Sequence, residues 1–240
     1  MNVILLDDRD FTDTGTVRLS GRRVQHLNQV LACAPGDELA VGRVNGKLGR
    51  ATVTKISARS AELADVVLDG DPPPPLPLSL VLALPRPVVM NRLLAAVTSL
   101  GVKRIFLVHS RRVEKSYWQS PVLAPENIDQ QLRLGLEQAV DTVLPEVRMS
   151  KRFKPFVEDE LPGLIKNGPA WLAHPGDGVS VPERTGPSAM LIIGPEGGFI
   201  PYEVERFDEL GVSRLSLGPR ILRVETAVHV AVAKVGGLFK

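Results

Sequence analysis

The chain is decided by two stretches near its C-terminus, LIIGPEGGF at 191–199 and LGPRILRVETA at 217–227. Each follows a short apolar run and precedes a helical pattern, so each reads as a strand-to-helix loop. Glycine lets main chain come close to a ligand, and proline stiffens the loop and reduces the entropy lost on binding. A third loop of the same kind, AHPG, occupies 173–176. In an open parallel sheet, ligands collect beyond the carboxyl ends of the strands, where such loops lie. The glycine spacing is not the G-x-G-x-x-G of a dinucleotide fold, and the chain lacks a phosphate-binding G-K-[ST] loop.

Working outward, residues 78–240 alternate between strand and helix. Strands are expected at 78–84, 102–108, 170–173, 189–193 and 214–217. Helices are expected at 89–100, 126–143, 155–166, 201–210 and 226–239. This alternation argues for an α/β domain with a mostly parallel sheet covered on both faces. Residues 1–70 read differently, as strands at 3–6, 16–19, 38–44, 47–56 and 61–68 around one helix. Ser20 is the expected cap of that helix, with Val24, Leu27 and Leu31 on its buried face. Asn45-Gly46 is the dipeptide favoured in a type I′ hairpin turn. These features suggest a small β-barrel. The run at 71–77, DPPPPLP, favours extended polyproline II and acts as a semi-rigid linker between the two parts.

Composition sets bounds. The apolar run at 3–6 is short and meets Asp7, Asp8 and Asp10, which argues against a signal peptide or membrane span. One cysteine, Cys33, cannot form an internal disulfide and reads as a small buried residue of a cytoplasmic protein. Four histidines and one cysteine give no zinc-type spacing, so no metal is expected. Net charge is only +2, but basic residues cluster at 103–115 and 148–154. Tyr117 and Trp118 follow the first cluster, and Phe153 and Phe156 interleave the second. Cations that neutralise phosphates beside rings that stack on bases suit a nucleic acid.

The motifs at 194–198 and 217–227 resemble those of the RsmE family, SPOUT-class enzymes that methylate N3 of a uridine in small-subunit ribosomal RNA. The resemblance extends along the chain. His26-Leu27, Val30-Leu31 and Pro35-Gly36-Asp37 look like the H-L-x-x-V-L-x-x-x-x-G-D segment of the family's PUA-like barrel. Ser99-Leu100-Gly101-Val102 resembles its E-L-G-V, and Glu137-Gln138 its E-Q. The resemblance implies a PUA-like β-barrel over 1–70 that binds RNA, and a SPOUT methyltransferase domain over 78–240 with a C-terminal trefoil knot. It also implies S-adenosylmethionine as cofactor, 16S ribosomal RNA as substrate, and a homodimer formed through the SPOUT domain.

Carried onto this sequence, the resemblance places the cofactor among Leu172, His174, Gly194, Glu196, Gly197, Gly198, Leu217, Gly218, Ile221, Leu222 and Thr226. Leu217, Ile221 and Leu222 can build an apolar slot for adenine. Arg220 and Arg223 are candidate stabilisers of negative charge on the uracil carbonyls; always protonated, they cannot act as the base. The other reading of these arginines is an ion pair with Glu225 that fixes the loop. Glu225 is the third candidate catalytic residue of this loop, and could equally favour the start of the last helix. Arg22, Arg23, Arg111, Arg112 and Arg152 are the cations expected to meet RNA. Departures cluster on the substrate side: Ala32 stands where the family has arginine after V-L, and Asp141 stands soon after Glu137-Gln138 where an arginine is usual. Either other cations compensate, or the enzyme acts on a different RNA or nucleoside. A non-catalytic RNA-binding relative of the same fold is the remaining alternative.

Overall fold

A computed structural model of the protein describes residues 2–13, 15–176 and 188–237. The chain divides into two compact units: residues 1–74 with 133–144, and 75–132 with 145–240. The first break falls within the proline run, and residues 133–144 return to the first unit.

In the first unit, β1 (Ile4–Leu6), β2 (Val17–Ser20), β3 (Glu38–Arg43), β4 (Leu48–Ile56) and β5 (Ser60–Gly70) form a sheet in the order β1-β3-β4-β5-β2. Irregularities along the β4–β5 pairing bend these long strands. The two outermost strands can then share one core with the rest: Ile4 and Leu6 of β1 pack in the same cluster as Val17 and Leu19 of β2. Helix α1 (Arg22–Gln29) contributes Val24 and Leu27 to that core. Leu31 lies beyond the helix end and is exposed, and the N-cap is Gly21 rather than Ser20. Cys33 is only half-buried, with burial pushing its thiol pKa up.

The hairpin between β3 and β4 is not a type I′ turn about Asn45-Gly46. The Gly46 N–H donates to the Arg43 carbonyl, so Val44 and Asn45 are the central residues, and Asn45 alone has a positive φ, 57°. The reason is the segment 140–144. Asn45 donates its N–H to the Thr142 carbonyl and accepts the Leu144 N–H on Oδ1, both bonds holding the turn in this form.

Segment 133–144 enters the first unit through charge as well. Glu137 is 1% exposed and accepts both guanidinium nitrogens of Arg22 at 2.8 Å. Arg133 pairs with Asp7, and Leu136 packs with Val3 and Leu5. Helix α3 (Pro125–Ala139) stops short of the expected 143. Val140 takes a left-handed φ of 55°, and buried Asp141 accepts the Val143 N–H, closing the turn.

In the second unit, six strands run in the order β11-β9-β10-β6-β7-β8, all parallel to their neighbours. They are β6 (Leu78–Ala83), β7 (Arg104–Val108), β8 (Glu146–Ser150), β9 (Ala170–Ala173), β10 (Ala189–Ile193) and β11 (Ser213–Leu215). The central strands β6 and β10 are buried throughout, as a sheet covered on both faces requires. Edge strand β8, EVRMS, lies outside the expected strands, because three of its five residues are exposed and its apolar signal is weak. Between β8 and β9, α4 (Phe153–Pro155) and α5 (Leu161–Ile165) flank a π-helical turn at Phe156–Glu160. Helices α2 (Pro87–Ser99) and α6 (Pro201–Glu209) follow β6 and β10. The last, α7 (Val224–Val235), packs on β10 and α2. It begins two residues earlier than expected, and the reading to 239 runs outside the described residues.

Candidate active site

Because the six strands among the described residues of the second unit are parallel, all send their carboxyl ends to one edge. The edge has two halves. Loops after β9, β10 and β11 are the glycine- and proline-rich stretches at 174–176, 194–200 and 216–223. Loops after β6, β7 and β8 carry Arg86, Arg111, Arg112, Lys151 and Arg152.

The glycine-rich half encloses a cavity of about 290 Å³, near the lower end of the ~300–1,000 Å³ range of small-molecule sites. It brings together His174, Gly194, Glu196, Gly197, Gly198, Leu217, Gly218, Arg220, Ile221 and Leu222, all singled out from sequence. Ala173, Pro175, Ile193, Pro195, Phe199, Val224 and Ala227 also line it. Of these, Phe199 had a readable signal, an aromatic directly after Gly197-Gly198. It is 4% exposed and stacks edge-on with Phe207 at 5.1 Å, anchoring the loop to α6. Gly218 has φ 107°, a conformation side chains rarely adopt. The Lys234 ammonium holds the start of the same loop through the Ser216 carbonyl at 3.3 Å. His174 Nδ1 donates to the Pro175 carbonyl at 2.7 Å, leaving Nε2 of the neutral ring as an acceptor.

Leu172 and Thr226 do not line the cavity. Leu172 is fully buried within β9, one residue short of its carboxyl end, and Thr226 is exposed on α7 while Val224 and Ala227 face the cavity. Arg223 and Glu225 lie just outside the lining. Arg223 is the exposed N-cap of α7, and Glu225 sits in its first turn, where a carboxylate meets the positive end of the helix dipole. Among the described residues neither Arg220 nor Arg223 has an ion-pair partner, so the pairing with Glu225 is not formed.

The basic half is tied to the cavity by three contacts on the loop after β10 and the first turn of α6. One Glu196 carboxylate oxygen accepts the Arg86 N–H at the start of α2, at 3.0 Å. The Glu203 carboxylate, 2% exposed, accepts the Arg111 N–H at 2.7 Å and the Ile200 N–H at 3.0 Å. The Arg112 guanidinium donates to the Gly197 carbonyl. Beside them, the Trp118 indole N–H donates to His109 Nδ1 at 3.0 Å, which places the neutral ring's proton on Nε2. Burial holds the His109 pKa below the ordinary imidazole value, with Glu203 opposing. Burial, and then the Glu114 carboxylate, raise the Tyr117 phenol.

The five cations assigned to RNA from sequence thus divide. Arg111 and Arg152 have exposed side chains with no partner among the described residues. Arg112 is engaged by Gly197. Arg22 is held by Glu137, and Arg23, 14% exposed, by Asp10 in a two-point pair. No helix among the described residues is long and apolar enough to cross a membrane.

Residues 72–236 match the family model described as an RNA methyltransferase domain. The ribosomal RNA small subunit methyltransferase E of Treponema pallidum (strain Nichols) is 29% identical over 245 residues, covering 98% of this chain and 90% of that protein. A probable rRNA-methyltransferase from Porphyromonas gingivalis superposes with a TM-score of 0.78 at 21% identity over 100% of both chains. A ribosomal RNA small subunit methyltransferase E from Neisseria gonorrhoeae bound to S-adenosyl methionine gives a TM-score of 0.74 at 22% identity, covering 97% of this chain and 96% of that one. At these identities the structural likeness establishes the fold.

Proposed function

The chain belongs to the RNA methyltransferase domain family, and we propose that it transfers a methyl group from S-adenosylmethionine to N3 of a uridine in 16S ribosomal RNA, as a cytoplasmic homodimer. The observation that carries this reading is the cavity at the carboxyl ends of β9, β10 and β11, built from the two loops that resemble the RsmE motifs. Its apolar side, at Leu217, Ile221 and Leu222, suits adenine, and its glycines leave main-chain groups free to pair with the base edge. The relatives named above support the substrate class, and the Neisseria protein supports the cofactor.

Bound there, S-adenosylmethionine would supply a methyl carbon already activated by a thioether leaving group. What remains for the protein is alignment and charge. Uracil N3 loses its proton to solvent as it attacks, and negative charge spreads to the flanking carbonyl oxygens. Arg220, on the cavity wall, and Arg223, beside it, have no ion-pair partner among the described residues and are suited to those oxygens. Glu225 serves the start of α7. Arg111 and Arg152 grip phosphates along the same edge.

The path of the chain favours a trefoil knot: from edge strand β11 it returns through 217–223 to α7 against β10 and α2. Ile221, 87% exposed, and Val230 on α7 offer apolar surface to a second subunit. Asp141, being buried, does not set a negative charge against RNA, which removes one reason to look for another substrate.

The test is calorimetric titration with S-adenosylmethionine, then labelled methyl transfer to small ribosomal subunits and nucleoside mass spectrometry. N3-methyluridine is the expected product. Label in another nucleoside would move the specificity, and absence of cofactor binding would sink the enzymatic reading.

A further inference from the structure

We propose that Arg112 is a positioning residue for the methyl donor rather than a contact for RNA. The inference rests on the cavity being the donor site. Arg112 follows β7, among the basic loops, yet its guanidinium donates to the Gly197 carbonyl, and Gly197 lines the cavity. The arginine stem packs on the same residue. A Cβ placed on Gly197 would meet Arg112 Cδ at 3.0 Å and Cβ at 3.4 Å. Arg112 itself does not line the cavity. It therefore supports the Gly197 main chain from outside, and a side chain at 197 would crowd the arginine stem as well as a ligand.

The contact is not isolated. One residue earlier, the Arg111 N–H shares the buried Glu203 carboxylate with the Ile200 N–H, so residues 111–112 are bound to 197–203 at two points. A carboxylate with little solvent access is held firmly only when its oxygens are paired, and here both are used by main chain. The loop after β7 is thus a brace for the loop after β10, with β6 lying between the two strands. A cation spent on a carbonyl still carries charge, but its geometry is fixed by the cavity wall and not by a phosphate.

The test is a double-mutant cycle on the full chain, with S-adenosylmethionine affinity by calorimetry and methyl transfer to ribosomal subunits at several salt concentrations. Arg112→Ala is expected to weaken S-adenosylmethionine binding about tenfold and to leave the KM for RNA and its salt dependence unchanged. Gly197→Ala alone should also weaken the cofactor. In the Arg112→Ala background the same change should cost less, because the stem it collides with is gone. Arg112→Met, which keeps packing over Gly197 and removes the donor, carries the test if Arg112→Ala does not fold; it should still weaken the cofactor. Strictly additive effects in the cycle would overturn the proposal. So would unchanged cofactor affinity with a raised KM for RNA and a salt slope smaller by about one. A wild-type chain that does not bind S-adenosylmethionine defeats the proposed function itself; wild-type binding with unaltered variants defeats only the role of Arg112.

Discussion

The two halves of the sheet's carboxyl edge are built on opposite plans. After β9, β10 and β11 the working surface is main chain, exposed by glycine and stiffened by proline. After β6, β7 and β8 it is side chain, mostly arginine and lysine on loops whose backbone is unremarkable. The difference teaches how much a residue's identity says about its job. A glycine-rich loop has few other uses, so type and role coincide. An arginine can close a carbonyl, neutralise a buried carboxylate or wait for a phosphate: on this molecule Arg112 does the first and Arg22 the second, while the exposed Arg111 side chain, without a partner among the described residues, is the one proposed for the third.

The largest break in the comparison is expected where the halves meet substrate. Arg223→Ala should slow methyl transfer by about 100-fold or more, with S-adenosylmethionine affinity changed little, as single-turnover kinetics and calorimetry would show. Equal loss of both, with a lowered melting temperature, would make Arg223 structural. In the main-chain half, Gly218→Val forces a β-branched residue towards φ 107°, and cofactor affinity should fall about tenfold while RNA binding persists. In the side-chain half, Arg152→Ala should do the reverse: a modest rise in KM for RNA, with the salt slope reduced by about one unit and cofactor affinity untouched. Arg111→Ala should behave alike, and if either moves cofactor affinity instead, the two halves are not separable.

The smallest effect concerns His109, whose pKa is depressed in the folded protein. The unfolded chain then binds more protons as pH falls below the ordinary histidine value of about 6.5. Its contribution to stability is intact above that pH and declines below it, down to the lower folded pKa. The wild-type melting temperature should therefore drop between pH 7 and pH 5 more steeply than that of His109→Gln, and identical slopes would show that the ring titrates normally.

What could be read in advance follows the same division. Buried strands β6, β7, β9 and β10 announced themselves as apolar runs, and the cavity loops by their glycines. Strand β8 did not, since at the sheet's edge it needs little apolar surface. Leu172 lies one residue short of the strand end and Thr226 on the exposed side of α7, neither of them on the cavity wall, because a motif fixes a loop but not the direction of each side chain. The partners of Arg22, Arg23 and Arg112 lie 115, 13 and 85 residues away in sequence, beyond any local pattern. Nothing about Asn45-Gly46 could reveal that residues 142–144 would claim its polar groups.

Residues 133–144 carry one further consequence. The proline run looks like a place to cut, but a fragment ending there would leave behind Glu137, the carboxylate that neutralises Arg22, and Leu136, which covers Val3 and Leu5. The N-terminal barrel is therefore not a cassette that recombination could trade between relatives at a single junction. An exchange would have to bring along a short stretch from the middle of the chain to keep those contacts.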